Sequence, residues 1–393
     1  MTDPSLADGA PMRLYDTARR AVVPFEPGPI VTMYTCGITP YDATHLGHAA
    51  TYVTYDLLQR RLRDRGHETR CVRNITDVDD DILRKARELG VHYLDLAAAE
   101  TARFDADMIT LNVITCWSEP RATSAIADIR GFIGMVLDQG HAYLSGGAVY
   151  FDVSSFERFG QVSHYSREEM LDLARQHGGN PDDPNKRDPL DFVLWQPSAE
   201  GEPAWESLWG AGRPGWHIEC SALALRELDT TIDLHGGGSD LIFPHHECEA
   251  AQSEAATGEV FVRHWMHQAM VRMDGEKMSK SLGNLVFISD LLKTYDPRAI
   301  RLGIVAHHYR DSWEWDDTIM PTAADRLDAW LAVTEAPGAV DSATALDEVR
   351  ARLDDDLDAP GAVAALDAAV ARGEGVASAA ALLGVFLVGD PVV

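Results

Sequence analysis

The chain of 393 residues predicts an α/β fold, a doubly wound parallel sheet broken by an insertion and followed by a C-terminal helical domain. Three observations predict it. Apolar runs of strand length alternate with amphipathic stretches of helix length between about residues 28 and 115. The alternation stops, then returns near Trp195. Beyond about Asp290 the chain reads as helical, and after Pro337 it is rich in Ala, Leu and Asp with few aromatics. Strands that alternate with helices argue for parallel pairing through crossovers, with helices on both faces.

Residues 1–115 read as the first half of the sheet domain. Ile30 to Tyr34 is an apolar strand, and a turn follows with Cys36-Gly37 and Pro40. A helix is predicted from His48 to Arg65, a strand from Thr69 to Asn74, and a helix from Asp80 to Gly90 with acidic residues in its first turn. Residues 116–195 read as the insertion, marked by Gly146-Gly147, Gly178-Gly179 and a Pro/Asp/Asn cluster from Asn180 to Pro189. Residues 196–290 form the second half, where Thr231 to Leu234 is a strand ending in Gly236-Gly237-Gly238-Ser239-Asp240. Residues 291–393 read as helical. No internal repeat or heptad pattern is evident.

No apolar run approaches the roughly 20 residues of a membrane span, and Met1 to Arg13 is too polar for a signal peptide. A soluble cytoplasmic protein is expected. Five cysteines at 36, 71, 116, 220 and 248 are too few and too scattered for a disulfide framework, so they read as reduced thiols or metal ligands. The balance of 34 Lys and Arg against 62 Asp and Glu leaves a net charge of −28. Such a surface is a poor default partner for a polyanion unless a local basic patch is kept.

Two short motifs carry the chemistry. His45-Leu46-Gly47-His48 opens a predicted helix, where free N–H groups and the helix dipole favour phosphate oxygens. Lys277-Met278-Ser279-Lys280-Ser281 lies on a loop between Gly275 and Gly283, suited to clamp departing pyrophosphate. Singly, the first also reads as a plain helix start and the second as a solvated loop. In this order and separation they resemble the H-I-G-H and K-M-S-K-S signatures of class I aminoacyl-tRNA synthetases. The resemblance implies that family's Rossmann-like sheet and the adenylation of a carboxylate by ATP, with Mg2+ expected, and it makes His45, His48, Lys277 and Lys280 the catalytic candidates.

Cys36 follows the first strand, Cys220 ends Trp216-His217-Ile218-Glu219-Cys220, and His245-His246-Glu247-Cys248-Glu249 follows the glycine run. Thiolate and imidazole donors suit zinc, although no C-x-x-C spacing is present and a lone cysteine or a paired histidine is commonly structural. The run Tyr34-Thr35-Cys36-Gly37, the segment Arg213 to Cys220, the stretch His235 to Glu249 and the K-M-S-K-S loop together resemble cysteinyl-tRNA synthetases, over most of residues 28–290. That resemblance implies zinc on Cys36, Cys220 and His245 with Glu249 as a fourth ligand, and substrate cysteine bound through its thiolate. Read alone, Glu249 is equally a solvated carboxylate four residues along a helix from His245. Cys71, Cys116 and Cys248 are assigned to packing.

Two groups share this core, the synthetases and the cysteine ligases of mycothiol biosynthesis. The run Cys36 to Thr51 is similar to the sugar ligases, as is Arg175-Gln176-His177-Gly178-Gly179-Asn180-Pro181, which departs from their E-R-G-G-D-P at three positions. Lys186 to Trp195 and the Glu249 position look more like the synthetases. The region after residue 290 is short and carries 8 Lys and Arg against 18 Asp and Glu, the wrong sign for an anticodon-binding tail. The favoured reading is transfer of cysteine to the amine of 1D-myo-inositol 2-amino-2-deoxy-alpha-D-glucopyranoside. The alternatives are tRNA, or another amine or carrier. Resemblance to the sugar ligases implies that the adenylate is held by Cys36, Gly37, Ile38, Thr39, Thr51, Asn74, Ile75, Thr76, Trp216, Gly238, Ser239, Asp240 and Val271. Glycines at a strand's C-terminal end also permit the close backbone approach a ligand needs there.

Overall fold

The computed structural model describes residues 11–41, 43–278 and 283–388. Its centre is a four-stranded parallel sheet in the order Trp265–Gln268, Leu234–Gly238, Ile30–Ile38, Glu68–Ile75. The chain leaves the strand Ile30–Ile38 through the helix Leu46–Asp64 to reach Glu68–Ile75 on one side, and later returns to Leu234–Gly238 on the other. The order therefore reverses beside Ile30–Ile38, and such a switch point opens a crevice at the strands' C-terminal ends. Both strands predicted before residue 75 and both helices predicted before residue 90 form within a few residues of their expected bounds.

The sheet separates two cores because side chains alternate across a strand. Val31 and Met33 face the helix Leu46–Asp64 and the C-terminal helices, in one cluster with Trp330, Val349 and Leu366. Tyr34 and Cys36 belong to a second cluster with Phe132, Phe151, Trp195 and Phe243. An antiparallel sheet, Ala142–Ser145, Ala148–Phe151, Phe192–Gln196 and Arg213–Pro214, roofs that second side. It runs on to Pro214, beyond residue 195 where the insertion was expected to end.

One strand differs from expectation. The glycines predicted to follow the strand Thr231 to Leu234 lie inside the observed strand Leu234–Gly238. Tyr55 explains the requirement for glycine: its hydroxyl donates to the carbonyls of Gly237 (3.0 Å) and Met266 (2.7 Å), and a Cβ on Gly236 would sit 2.1 Å from that oxygen. Beyond residue 290 the helices Pro297–Val305, Ile319–Thr334, Ala343–Asp354, Ala359–Ala371 and Ala377–Leu382 pack as a C-terminal group. Ion pairs bind them to the helix Leu46–Asp64: Arg61 and Arg65 to Asp354, Arg350 to Asp64, and the buried Arg301 to Asp56. Among the described residues, no helix is long and apolar enough to cross a membrane.

Candidate active site and metal centre

The crevice is built by close backbone approach. A Cβ on Gly37 would lie 1.6 Å from the carbonyl oxygen of Asn74, so only glycine lets these two strand ends meet. Asn74 then locks the junction, its side-chain oxygen accepting from the Gly37 N–H at 2.8 Å and its Nδ2 donating to Thr76 Oγ1 at 3.1 Å.

His45 caps the helix Leu46–Asp64, its Nδ1 accepting from the His48 N–H at 3.4 Å. The two rings stack with centroids 3.7 Å apart. Although more than two hundred residues separate the two motifs, backbone bonds tie the first to the segment that follows the second. The Leu46 N–H donates to the Val286 carbonyl at 2.8 Å, and the Ile288 N–H to the Thr44 carbonyl at 3.1 Å. Lys277 sits on the short strand Glu276–Lys277, which pairs with Val271–Met273, and its side chain is exposed. Lys280 lies outside the described residues.

These parts face one cavity of about 1490 Å3. Pockets for a single drug-sized ligand occupy roughly 300–1,000 Å3, so there is room for a nucleotide, an amino acid and a second substrate. Cys36, Gly37, Ile38, Thr39, His45, His48, Thr51, Trp216, Gly238, Asp240, Val271 and Lys277 line it. Asn74, Ile75, Thr76 and Ser239 are not in its wall. The Thr51 hydroxyl donates within its own helix to the Gly47 carbonyl, 3.1 Å away. Trp216 lies on the His245 ring, with centroids 4.2 Å apart.

Beneath Trp216 the metal candidates converge. Ligand atoms of Cys36, Cys220, His245 and Glu249 all fall within 4.8 Å of one another, and all four residues are buried. His245 Nε2 lies 3.4 Å from Cys220 Sγ and 3.1 Å from Glu249 Oε1, while Cys36 Sγ lies 3.5 Å from that same oxygen. Glu249 is fully buried, which removes its reading as a solvated carboxylate. Burial pushes both the Cys36 and Cys220 thiols up, and Glu249 adds to this in each case. Burial, reinforced by His217 and His235, holds His245 well below its ordinary value and leaves it a neutral imidazole. Two thiols, a neutral imidazole and a carboxylate are a donor set that fits a thiophilic dication.

Sequence reasoning missed the histidines around this quartet. Cys36, His235, His246 and Glu249 form a second, overlapping group. His235 Nε2 lies 3.0 Å from Glu249 Oε2, and His246 Nε2 lies 3.3 Å from Cys36 Sγ. His217 Nδ1 holds His245 Nδ1 at 2.9 Å, and His267 Nε2 holds His246 Nδ1 at 2.7 Å. Burial pushes His217 and His267 down to about 3, so both are uncharged props. Such outer partners orient metal ligands. The concentration of histidine between 235 and 246 was a signal for His235 and His246, whereas His217 and His267 lie outside that run.

The model of the class I (C) tRNA-synthetase catalytic domain matches residues 22–325. A protein of Streptosporangium roseum, named L-cysteine:1D-myo-inositol 2-amino-2-deoxy-alpha-D-glucopyranoside ligase, is 50% identical over 92% of this chain and 89% of its own length. One of Gordonia bronchialis with the same name is 48% identical over 93% of this chain and 90% of its own. Among solved structures, methionyl-tRNA synthetase of Mycobacterium tuberculosis with methionyl-adenylate aligns with a TM-score of 0.64 at 17% identity, covering 90% of this chain and 82% of that one. At that identity the likeness concerns the fold alone.

Proposed function

The chain belongs to the family of class I (C) tRNA-synthetase catalytic domains, and on that premise we propose that it activates L-cysteine with ATP and transfers it to the amine of 1D-myo-inositol 2-amino-2-deoxy-alpha-D-glucopyranoside, a step of mycothiol biosynthesis. The observation that carries cysteine as the substrate is the buried quartet Cys36, Cys220, His245 and Glu249, of which Cys36 lines the cavity. Zinc held by those four residues supplies a site that accepts a thiol and refuses a hydroxyl or methyl. A hydrophobic pocket that reads one methylene discriminates by only about 1–3 kcal/mol. His235, bonded to the other oxygen of Glu249, and His217, bonded to His245, keep the donors oriented.

Bound beside Cys36, cysteine would present its carboxylate to the ATP α-phosphate. His45 and His48, at the N-terminus of Leu46–Asp64, stabilise charge on the phosphates, and Lys277 and Lys280 meet the leaving pyrophosphate. This is electrostatic stabilisation with little covalent chemistry for the protein. Magnesium accompanies ATP. The adenylate then lies along Gly37 to Thr39, Trp216 and Gly238 to Asp240, open to an amine from the cavity mouth.

The acceptor reading is supported by the relatives' names and by the acidic C-terminal helices. Asp354, which bonds Arg61 and Arg65, and Asp56, which bonds Arg301, are committed to holding those helices against the catalytic domain. A groove for tRNA needs Lys and Arg turned outward. A cytoplasmic location accords with the substrates. Incubating the protein with ATP, cysteine and either the amino sugar or tRNA tests the reading: the sugar amide is expected, and cysteinyl-tRNA without sugar product would refute it.

A further inference from the structure

The transfer step needs a neutral amine, whereas an amino sugar arrives largely as its ammonium. A group in the cavity must therefore hold that cation and take its proton. Asp79 stands in the cavity wall with Gly37, Thr39 and Trp216. Its Oδ1 accepts from the Ile82 N–H at 2.9 Å and so caps the helix Asp80–Leu89. Its Oδ2 accepts only a long bond from Thr39 Oγ1, 3.3 Å away.

A second, independent observation lies behind it. Glu219 is 1% exposed, and neither of its oxygens has a partner within ordinary hydrogen-bond limits, the Thr76 hydroxyl being the group that comes near enough to favour its charged form. Burial first, then Asp79 and Asp77, pushes it well above the usual carboxylate range, so it stands as a neutral acid behind Asp79. The nearby cation, Arg213, is already paired with Asp80 and Glu202, and Asp77 is taken up by the Thr123 hydroxyl and N–H at 2.6 and 2.9 Å. Asp79 thus keeps lone pairs on Oδ2 that are met only by the long bond from Thr39, in the wall of the cavity. An unmade bond to a buried polar group costs about 1–3 kcal/mol, and a cationic N–H donor is the ligand that recovers it.

We propose that Asp79 is the catalytic base of the transfer step, binding the acceptor ammonium beside Thr39 and removing its proton. The inference rests on the amino-sugar reading above. The ammonium gives one proton to the Asp79 carboxylate, which passes it to water at the cavity mouth. The freed nitrogen lone pair then forms the C–N bond to the carbonyl carbon of cysteinyl-adenylate. As the C–O bond to phosphate breaks, AMP leaves with that electron pair, and the second proton on nitrogen goes to the departing phosphate oxygen.

Burial raises Asp79, and the neighbouring charges of Asp81 and Asp80 add to it against the Ile82 and Thr39 hydrogen bonds, bringing it to about 6. Asp80 and Asp81 are the charges that act on it, Glu219 lies behind it, and Arg84 and Lys85 share its cavity wall. A base near 6 is ionised at neutral pH and still accepts a proton.

The test is Asp79→Asn, which keeps the helix cap because Asn accepts from the Ile82 N–H as Asp does. Single-turnover transfer to the amino sugar should fall by about a hundredfold or more and lose its acid limb near pH 6, recovering as rising pH deprotonates the amine unaided. Cysteine-dependent ATP–pyrophosphate exchange should fall far less. Hydroxylamine, a nucleophile already neutral at the assay pH, should trap the adenylate at the same rate in both proteins. Asp79→Ser, also a capping residue, should match Asp79→Asn. Transfer that falls no more than exchange, or a variant that keeps the acid limb, overturns the assignment. Wild type that yields the hydroxamate but no sugar amide overturns the acceptor reading itself and the inference with it.

Discussion

Arg301→Met should destabilise the protein by about 5 kcal/mol. Arg301 is 1% exposed and Asp56 is fully buried, and their ion pair joins the helix that begins at His45 to the C-terminal helices. Removing one member of a buried pair costs about 3–5 kcal/mol, because the other charge is left uncompensated. Asp56 would retain Arg60 Nε and the Ile114 N–H, both at 2.7 Å, which points to the low end, near 3. The Leu383 and Leu111 carbonyls lose their Arg301 donors at 2.6 and 3.0 Å. The Asn112 carbonyl keeps Arg60. Two stranded carbonyls add about 1 kcal/mol each. For a chain of this size the total corresponds to a fall of about 6 °C in Tm, read by calorimetry and by urea unfolding. Burial alone raises Asp56, but Arg301 and then Arg60 outweigh it, so its net shift is downward. The stability from that shift is present above the unfolded aspartate value of about 3.9 and is lost as pH falls through the lower folded value. The gap between wild type and variant should therefore narrow on acidification. Adding Asp56→Asn should restore about 1–2 kcal/mol, since the isolated charge is gone. A double variant no more stable than Arg301→Met, or a single variant within 1 kcal/mol of wild type, would refute the reasoning.

Purified protein should carry close to one zinc per chain by metal analysis, and Cys220→Ala should lose it together with exchange activity, because a missing thiolate removes much of the affinity; active protein without zinc would contradict this. Exchange should select cysteine over serine by far more than the factor of 10–200 that a methylene-reading pocket gives, and comparable exchange with serine would defeat the metal–thiol explanation. Lys277→Ala, and likewise Lys280→Ala, should lower the exchange rate while changing cysteine affinity little, since pyrophosphate charge is met chiefly in the transition state; equal losses in both would assign these lysines to ground-state binding. His235→Ala should weaken zinc retention by about 10–100-fold through loss of the Glu249 prop, measured by chelator competition, and unchanged retention would make that contact incidental.

Periodicity in the chain was enough to predict the strand Ile30–Ile38, the helix Leu46–Asp64 and the parallel alternation around them, because strand and helix patterns are local properties of which side chains recur on one face. The two phosphate motifs and the types of donor near Cys36, Cys220 and His245 were also legible, since each is a short run of residues with one evident chemistry. Tertiary structure alone decided how those runs combine. Cys36 and Glu249, 213 positions apart, become neighbours only through the sheet and the helix Glu247–Thr257, and burial of that helix is what turns Glu249 from a surface carboxylate into a donor. The glycines at 236–238 read as the end of a strand, and only the Tyr55 hydroxyl packed against them shows why they are glycine. The charge excess beyond residue 290 revealed its sign in the sequence but not its use; pairing of Asp354 with Arg61 and Arg65 depends on docking one helix along another. Coordination, burial and ion pairing are set by which distant segments share a cavity or a face, and no local pattern encodes that distance.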